Sequence, residues 1–342
     1  MADDALPRWR DPQWQRIAMD WTGRGLAELG CDVTGEPEQV KARPWSTVFR
    51  VPTTRGPFWF KANARGLAHE AALVEALSRW VPDRVLAPLR VDADQGWLLL
   101  PDGGRTLREA QGGTTDLAHW ERILVEYAQL QRSVAPFAAE MLALGVPDNR
   151  PDALPAVLED LLTDADALLL DQPSGMTGAQ LAEQRAAAPS YARMCAELAA
   201  IGIPPSVQHD DLHDANVFVP ADESEPYRVF DWGDATVAHP FASLLVSLRV
   251  LCDLANLAPG SPPVLHLRDA YLEVWSAEHD IKDLRQACRL AVRVGAVGRA
   301  ANWRRALLEA TPAGRAQWGD GVPGWLLELN EPTPVEPGPP VG

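Results

Sequence analysis

The chain has 342 residues, long for a single core, so two lobes or domains are expected. Its formal net charge of −16 excludes nucleic acid as the main partner, because a phosphate backbone calls for a basic surface. No apolar run reaches membrane-spanning length, and the acidic start Met1-Ala2-Asp3-Asp4-Ala5 lacks the basic and apolar parts of a signal peptide, so a cytoplasmic protein without membrane contact is expected. Cys31, Cys195, Cys252 and Cys288 are far apart and form no CxxC pair, which points to neither a disulfide nor a zinc site.

Residues 1–11 are expected to be a disordered start. Residues 13–29 then read as a helix, with Trp14, Ile17 and Trp21 on one face and Gly30 as its stop. Strand character follows at residues 39–43, 47–51 and 57–61, the last two joined by the turn Thr53-Thr54-Arg55-Gly56. A helix is expected over residues 66–80 and two further strands over residues 85–89 and 97–100. This small sheet with one inserted helix makes an N-lobe of residues 12–101, and Asp102-Gly103-Gly104 form a hinge (residues 102–104). Residues 105–330 read as a helical C-lobe, with helices at 116–132, 154–170, 191–200, 243–254, 265–277 and 282–309. The Pro- and Gly-rich residues 331–342 are expected to be a disordered tail.

The helical half is interrupted by His209-Asp210-Asp211-Leu212-His213-Asp214-Ala215-Asn216, followed by Val217-Phe218-Val219 and then Asp231-Trp232-Gly233-Asp234. Pro204 and Pro205 oppose a helix before it, so the stretch reads as strand, polar loop, strand, turn. Packing several carboxylates into a small volume is costly unless a cation or a reaction requires it. The stretch gathers several carboxylates, an amide and two imidazoles, side chains that a cation or a reaction could use.

The spacing His209-x-Asp211-Leu212-x-x-x-Asn216, with Asp231-Trp232-Gly233 downstream, resembles the catalytic and metal loops of the protein-kinase-like fold. In detail the chain resembles the aminoglycoside phosphotransferases and their relatives among choline, homoserine and sugar kinases, whose loop usually reads H-G-D-L-H-x-x-N followed by I-D-W-x-D. The resemblance covers roughly residues 40 to 310. It implies an α+β, two-lobed fold with a small antiparallel N-lobe sheet, one inserted helix and a larger helical C-lobe. It further implies an O-phosphotransferase that uses ATP and Mg²⁺ on a hydroxyl of an aminoglycoside, another hydroxylated antibiotic, an amino sugar or an amino alcohol, with antibiotic resistance among the roles. The acidic balance tilts the acceptor toward a cation. A monomer or homodimer is expected.

By the same resemblance Lys61 contacts the phosphates and pairs with Glu70, with Glu75 as the alternative. Ser46 and Thr47 stand at the phosphate turn, and backbone near Leu100 and Asp102 holds the adenine. Asp211 is the catalytic residue, Asn216 and Asp231 hold the metal, and His209 and Asp234 brace the loop. His213, Asp214 and Trp303 are candidate substrate or phosphate contacts. Three departures stand out. The loop glycine is Asp210, whose carboxylate either raises a neighbour's pKa, adds a ligand contact or, as the favoured expectation, faces solvent. There is no glycine-rich phosphate loop, only Arg43-Pro44-Trp45-Ser46-Thr47. The family's D-P-x-x-D-L-A segment reads His239-Pro240-Phe241-Ala242-Ser243-Leu244-Leu245, without its acids. Arg285, Arg289 and Arg293 repeat at helical spacing and read as a solvated face. Two other functions compete: a silent nucleotide-binding kinase relative, and a metal phosphohydrolase suggested by His209-Asp210 and His213-Asp214.

Overall fold

The computed structural model describes residues 5–222 and 224–336. Helix α1 (Pro12–Glu28), capped by the Asp11 side chain, precedes strands β1 (Glu38–Ala42), β2 (Ser46–Thr53) and β3 (Gly56–Asn63). Helix α2 (Glu70–Trp80) is followed by β4 (Arg90–Asp92) and β5 (Trp97–Pro101). The five strands form one antiparallel sheet in the order β1-β2-β3-β5-β4.

Period-two alternation sets the two faces of that sheet. Phe58 and Phe60 of β3 are buried with Phe49, Val51, Trp21 and Trp97 under α1. Trp59 and Lys61, one step out of phase, therefore face the other way, into a cleft. Lys61 sits opposite Val48 of β2 and Leu98 of β5, in the middle of the sheet.

Beyond the hinge come α3 (Leu107–Gln111), α4 (Leu117–Val134), α5 (Ala138–Ala143), β6 (Asp148–Asn149), α6 (Leu154–Leu161), α7 (Gly178–Ala200) and β7 (Ser206–Gln208). The polar loop leads to the hairpin β8 (Val217–Phe218) and β9 (Arg228–Val229), then to β10 (Thr236–Ala238). Helices α8 (Leu244–Ala255), α9 (Pro262–Glu273), α10 (Ile281–Ala306), α11 (Pro312–Trp318) and α12 (Gly321–Leu327) complete the lobe. Strand β10 pairs with β6 and β7, which fixes the start of the polar loop against the loop that follows β9. No helix among the described residues is long and apolar enough to cross a membrane.

Several expectations change. Residues 1–4 of the disordered start lie outside the described residues, but Leu6 and Trp9 are buried, and the Trp9 indole donates to the Arg43 carbonyl at 2.8 Å. Of the tail, residues 337–342 lie outside the described residues, whereas Thr333 and Val335 are buried and Glu336 accepts from Arg293 at 2.6 Å. Arg293 thus pins a segment rather than facing solvent, and Arg285 pairs with Asp269 at 2.9 Å. The strand expected over residues 85–89 is interrupted by Pro88, and pairing begins at Leu89–Leu99 and continues through β4. The helix expected over residues 154–170 stops at Leu161, because Asp164 caps a turn of its own and Leu169 turns left-handed. The helix expected over residues 191–200 begins at Gly178, where Thr177 and Gln180 form a capping box. At His239–Ser243 the missing acids are replaced by neutral groups. His239 Nδ1 accepts from Phe241 N–H, and Gln131 donates to the Ser243 hydroxyl and the Pro240 carbonyl.

Candidate active site

Two clefts meet at Asp231. The first, of about 300 Å³, lies between the sheet and the hairpin and is walled by Val48, Trp59, Val74, Leu98 and Leu100 above and Phe218 and Phe230 below. The two phenylalanine rings stack at 4.1 Å beneath the hinge. Gly103 has room for no side chain, since a Cβ there would lie 2.2 Å from the Phe218 ring. The cleft is mainly apolar, and the residues from Leu100 to Gly104 also line it.

At the inner end of this cleft Lys61 is buried between Glu70, at 2.6 Å, and Asp231, at 2.5 Å. Glu70 also accepts from the Asn63 amide at 2.6 Å and from the Trp232 N–H at 2.8 Å. One carboxylate thereby ties β3, α2 and the loop after β9 together. Burial opposes charge on Lys61, but the carboxylates of Asp231 and Glu70 outweigh it and hold the ammonium well above its ordinary range. Burial likewise opposes the Asp231 carboxylate, and the ammonium groups of Lys61 and Lys41 hold it well below the usual range. Lys41 Nζ lies 3.6 Å from Asp231. Glu75, the alternative partner, pairs with Arg79 on the surface.

The polar loop follows β7. His209 is fully buried and braces the loop: its Nε2 faces the Phe230 carbonyl at 2.8 Å, and its Nδ1 accepts from Asp211 N–H at 3.3 Å. Both ring nitrogens are thus committed to backbone, which leaves no lone pair on His209 for a metal and takes it out of the HD-type ligand set. Asn216 donates its amide hydrogens to the Asp211 carbonyl and carboxylate at 2.9 and 3.1 Å, leaving its own carbonyl oxygen free to act as a ligand. Asn216 and Asp231 each offer a hard oxygen donor. That set fits Mg²⁺, which takes one or two protein ligands when substrate phosphates supply others. Among the described residues no group of three or more His, Cys, Asp or Glu could hold a metal ion.

Asp211 faces the second cleft, of about 220 Å³, together with Ser46, Asn63, Asp234, Arg299 and Trp303. Arg299 of α10 donates to Asp211 at 3.2 Å and to Asp234 at 3.0 Å. His213 Nε2 approaches the other Asp211 oxygen at 3.5 Å. Burial alone would raise the Asp211 carboxyl, but the His213 hydrogen bond and the Arg299 guanidinium hold it down to about 2. At the mouth of this cleft Trp45 packs edge-on against Trp303 and Trp318 at 5.7 and 5.2 Å.

The site brings together Lys61, Glu70, Asp211, Asn216, Asp231, Asp234, Ser46 and Trp303, with Leu100 and Asp102 along the first cleft. It excludes two candidates. Thr47 is buried beneath the turn, and its hydroxyl is spent on Gln39 and the Lys41 carbonyl, so it reaches no cleft. Asp214 is buried in a bidentate pair with Arg108 of α3, closest at 2.7 Å, so it is not open to a cationic substrate. Asp210 does not face solvent: it is 2% exposed. Sequence reasoning missed Lys41, Arg299 and Asn302. The last two share one α10 face with Trp303, and the signal was polar side chains amid the small residues Gly298, Ala300 and Ala301.

The model of the phosphotransferase enzyme family matches residues 39–253. No curated protein matches the sequence. Among solved structures, the Plasmodium vivax ethanolamine kinase Pv091845 is similar over 87% of this chain and 82% of its own, at 11% identity and a TM-score of 0.57. A type I macrolide 2'-phosphotransferase is similar over 88% and 96%, at 13% identity and a TM-score of 0.53. The GDP and kanamycin complex of APH(2")-IIia is similar over 91% and 97%, at 14% identity and a TM-score of 0.52. At these identities the likeness shows the fold, a protein-kinase-like arrangement of two lobes.

Proposed function

The chain belongs to the phosphotransferase enzyme family, and on that premise we propose that it transfers the γ-phosphoryl group of ATP, with Mg²⁺, to a hydroxyl of a small molecule. The observation that carries this reading is the convergence of Lys61, Asp231, Asn216 and Asp211 where an apolar cleft and a polar cleft join.

The apolar cleft takes the adenine between the sheet and the Phe218–Phe230 stack, with its edge against the backbone near Leu100 and Asp102. Lys61, held by Glu70, would contact the phosphates, and Ser46, which lines the second cleft, would be a further contact. Mg²⁺, when bound by Asn216 and Asp231, supplies neutralising charge to the phosphate oxygens. Asp211 accepts the hydrogen bond of the acceptor hydroxyl. With its carboxyl held down to about 2 it is a weak base, so its main task is orientation. It takes the proton once bonding to phosphorus has made the hydroxyl acidic, which suits a loose transition state.

The acceptor is a compact hydroxylated molecule of the aminoglycoside, antibiotic, amino-sugar or amino-alcohol kind. An ADP-release screen across aminoglycosides, amino sugars, sugars and amino alcohols tests this. Turnover that requires ATP, Mg²⁺ and an acceptor together is expected. Nucleotide binding without ADP release on any acceptor would favour a silent relative, and phosphate release with ATP omitted would favour a hydrolase.

A further inference from the structure

Asp210 carries two burdens at once. Its φ is +64°, in the left-handed region where glycine is at ease and a side chain is strained. Its carboxylate is also buried, at 2% exposure, where a charge is costly unless it is well paired. A glycine would satisfy this backbone without either burden. The side chain therefore does something that the turn itself does not need.

Its contacts show what that is. One carboxylate oxygen accepts from the Gln208 amide at 2.7 Å. The other accepts from the Asn302 amide and lies 3.9 Å from Arg299. Asn302 spends its second amide hydrogen on the Asp234 carbonyl at 2.8 Å, which fixes the orientation of that amide. Arg299, one turn earlier on α10, divides its guanidinium between Asp211 and Asp234. One face of α10 thus grips both the polar loop and the loop after β9, and Asp210 is the anchor on the loop side.

We propose that Asp210 is a positioning residue for Asp211: its buried carboxylate fixes the loop to α10 through Asn302 and keeps Arg299 shared among the acids. Without it, Arg299 closes onto Asp211 and covers the oxygen that meets the acceptor hydroxyl. Burial pushes the Asp210 carboxyl up to about 7 against the pull of Arg299, with Asp234 and Asp211 adding to the rise. The carboxylate is therefore held at a cost to the fold, as expected of a group kept for function.

This inference rests on the phosphotransferase reading, and its test separates the two. Asp210→Gly, Asn302→Ala and the double variant are assayed beside the native chain for ADP release at saturating MgATP, with the best acceptor from the screen. Asp210→Gly is expected to lower kcat on the order of 10–100-fold, with KM for ATP unchanged and a cooperative melting transition retained, because glycine suits the φ and relief of the buried charge offsets the loss of the bonds to Gln208 and Asn302. Asn302→Ala should lose a similar factor in kcat, and the double variant should be no slower than the slower single one. Native kcat in Asp210→Gly overturns the proposal, as does a loss that appears in KM for ATP or losses that multiply in the double variant. A native chain that releases no ADP with any acceptor overturns the phosphotransferase reading itself.

Discussion

The two clefts that meet at Asp231 are built in different ways. The first is a product of strands: alternation puts Phe60 under α1 and Lys61 into the cleft, and the β8–β9 hairpin contributes Phe218 as the floor. Its walls are apolar, and its charges are concentrated in the Lys61–Glu70–Asp231 set. The second is a product of one helix face. Arg299, Asn302 and Trp303 of α10 reach across to residues far away in sequence, and almost every charge is shared among several partners. The first cleft is suited to a flat, constant ligand, and the second to holding one carboxylate, Asp211, in a set orientation. On the proposed reading, recognition of the donor and positioning of the base are separable tasks, divided between two clefts that each draw on both lobes.

The largest expected effect that tests this division is on the first cleft. Lys61→Ala should lower kcat/KM for ATP about 100-fold or more, since it removes a preorganised cation at the phosphates, while KM for the acceptor stays near native. Equal damage to both substrates would mean that the clefts do not act separately. On the second side, Arg299→Ala leaves Asp210, Asp211 and Asp234 without their shared cation. A loss of about 3 kcal/mol in unfolding free energy is expected from breaking such a buried set, read by urea denaturation. Arg299→Lys should restore little of it, because a point charge cannot serve several acids in fork geometry. Wild-type stability in Arg299→Ala would show that the α10 grip is dispensable.

A smaller effect concerns the segment that lost its acids. Burial, with His279 adding to it, pushes the His239 imidazole down to about 3, and burial with Arg305 pushes His69 down to about 4. The folded chain therefore resists protonation that the unfolded chain accepts below its ordinary histidine range. Stability is fully present above about pH 6.5 and falls as pH drops toward the folded values, by up to ~1.4 kcal/mol per pH unit for each group. His239→Asn keeps an acceptor for Phe241 N–H and should flatten that slope between about pH 6.5 and 5. An unchanged slope would remove His239 from the account.

What could be read in the sequence follows the same division. That Lys61, Glu70 and Asp231 meet, and that Asp211 meets Asn216, was legible because each sits in a short run of recognisable spacing: a strand end, a helix start, a loop. Arg299 and Asn302 were not, because their partners lie in the loops around Asp211 and Asp234 and only the folded chain brings them together. Asp210 was noticed as a residue out of place, but its direction depends on a left-handed φ that the sequence does not disclose. Asp214 reads equally as an open contact or a loop residue, and what decides it is Arg108, on a short helix that periodicity does not reveal. Trp9 and Val335 show that an unpatterned end can still be anchored by one large or apolar side chain in a core formed elsewhere.

The central claim is that Asp211 orients the acceptor hydroxyl while separate residues hold the nucleotide. It is tested most directly by Asp211→Asn, assayed for ADP release with MgATP and the acceptor found for the native chain, alongside nucleotide binding by calorimetry. A loss of turnover of at least ~100-fold, with nucleotide affinity kept, is the expected result. Normal phosphoryl transfer by Asp211→Asn would contradict the account.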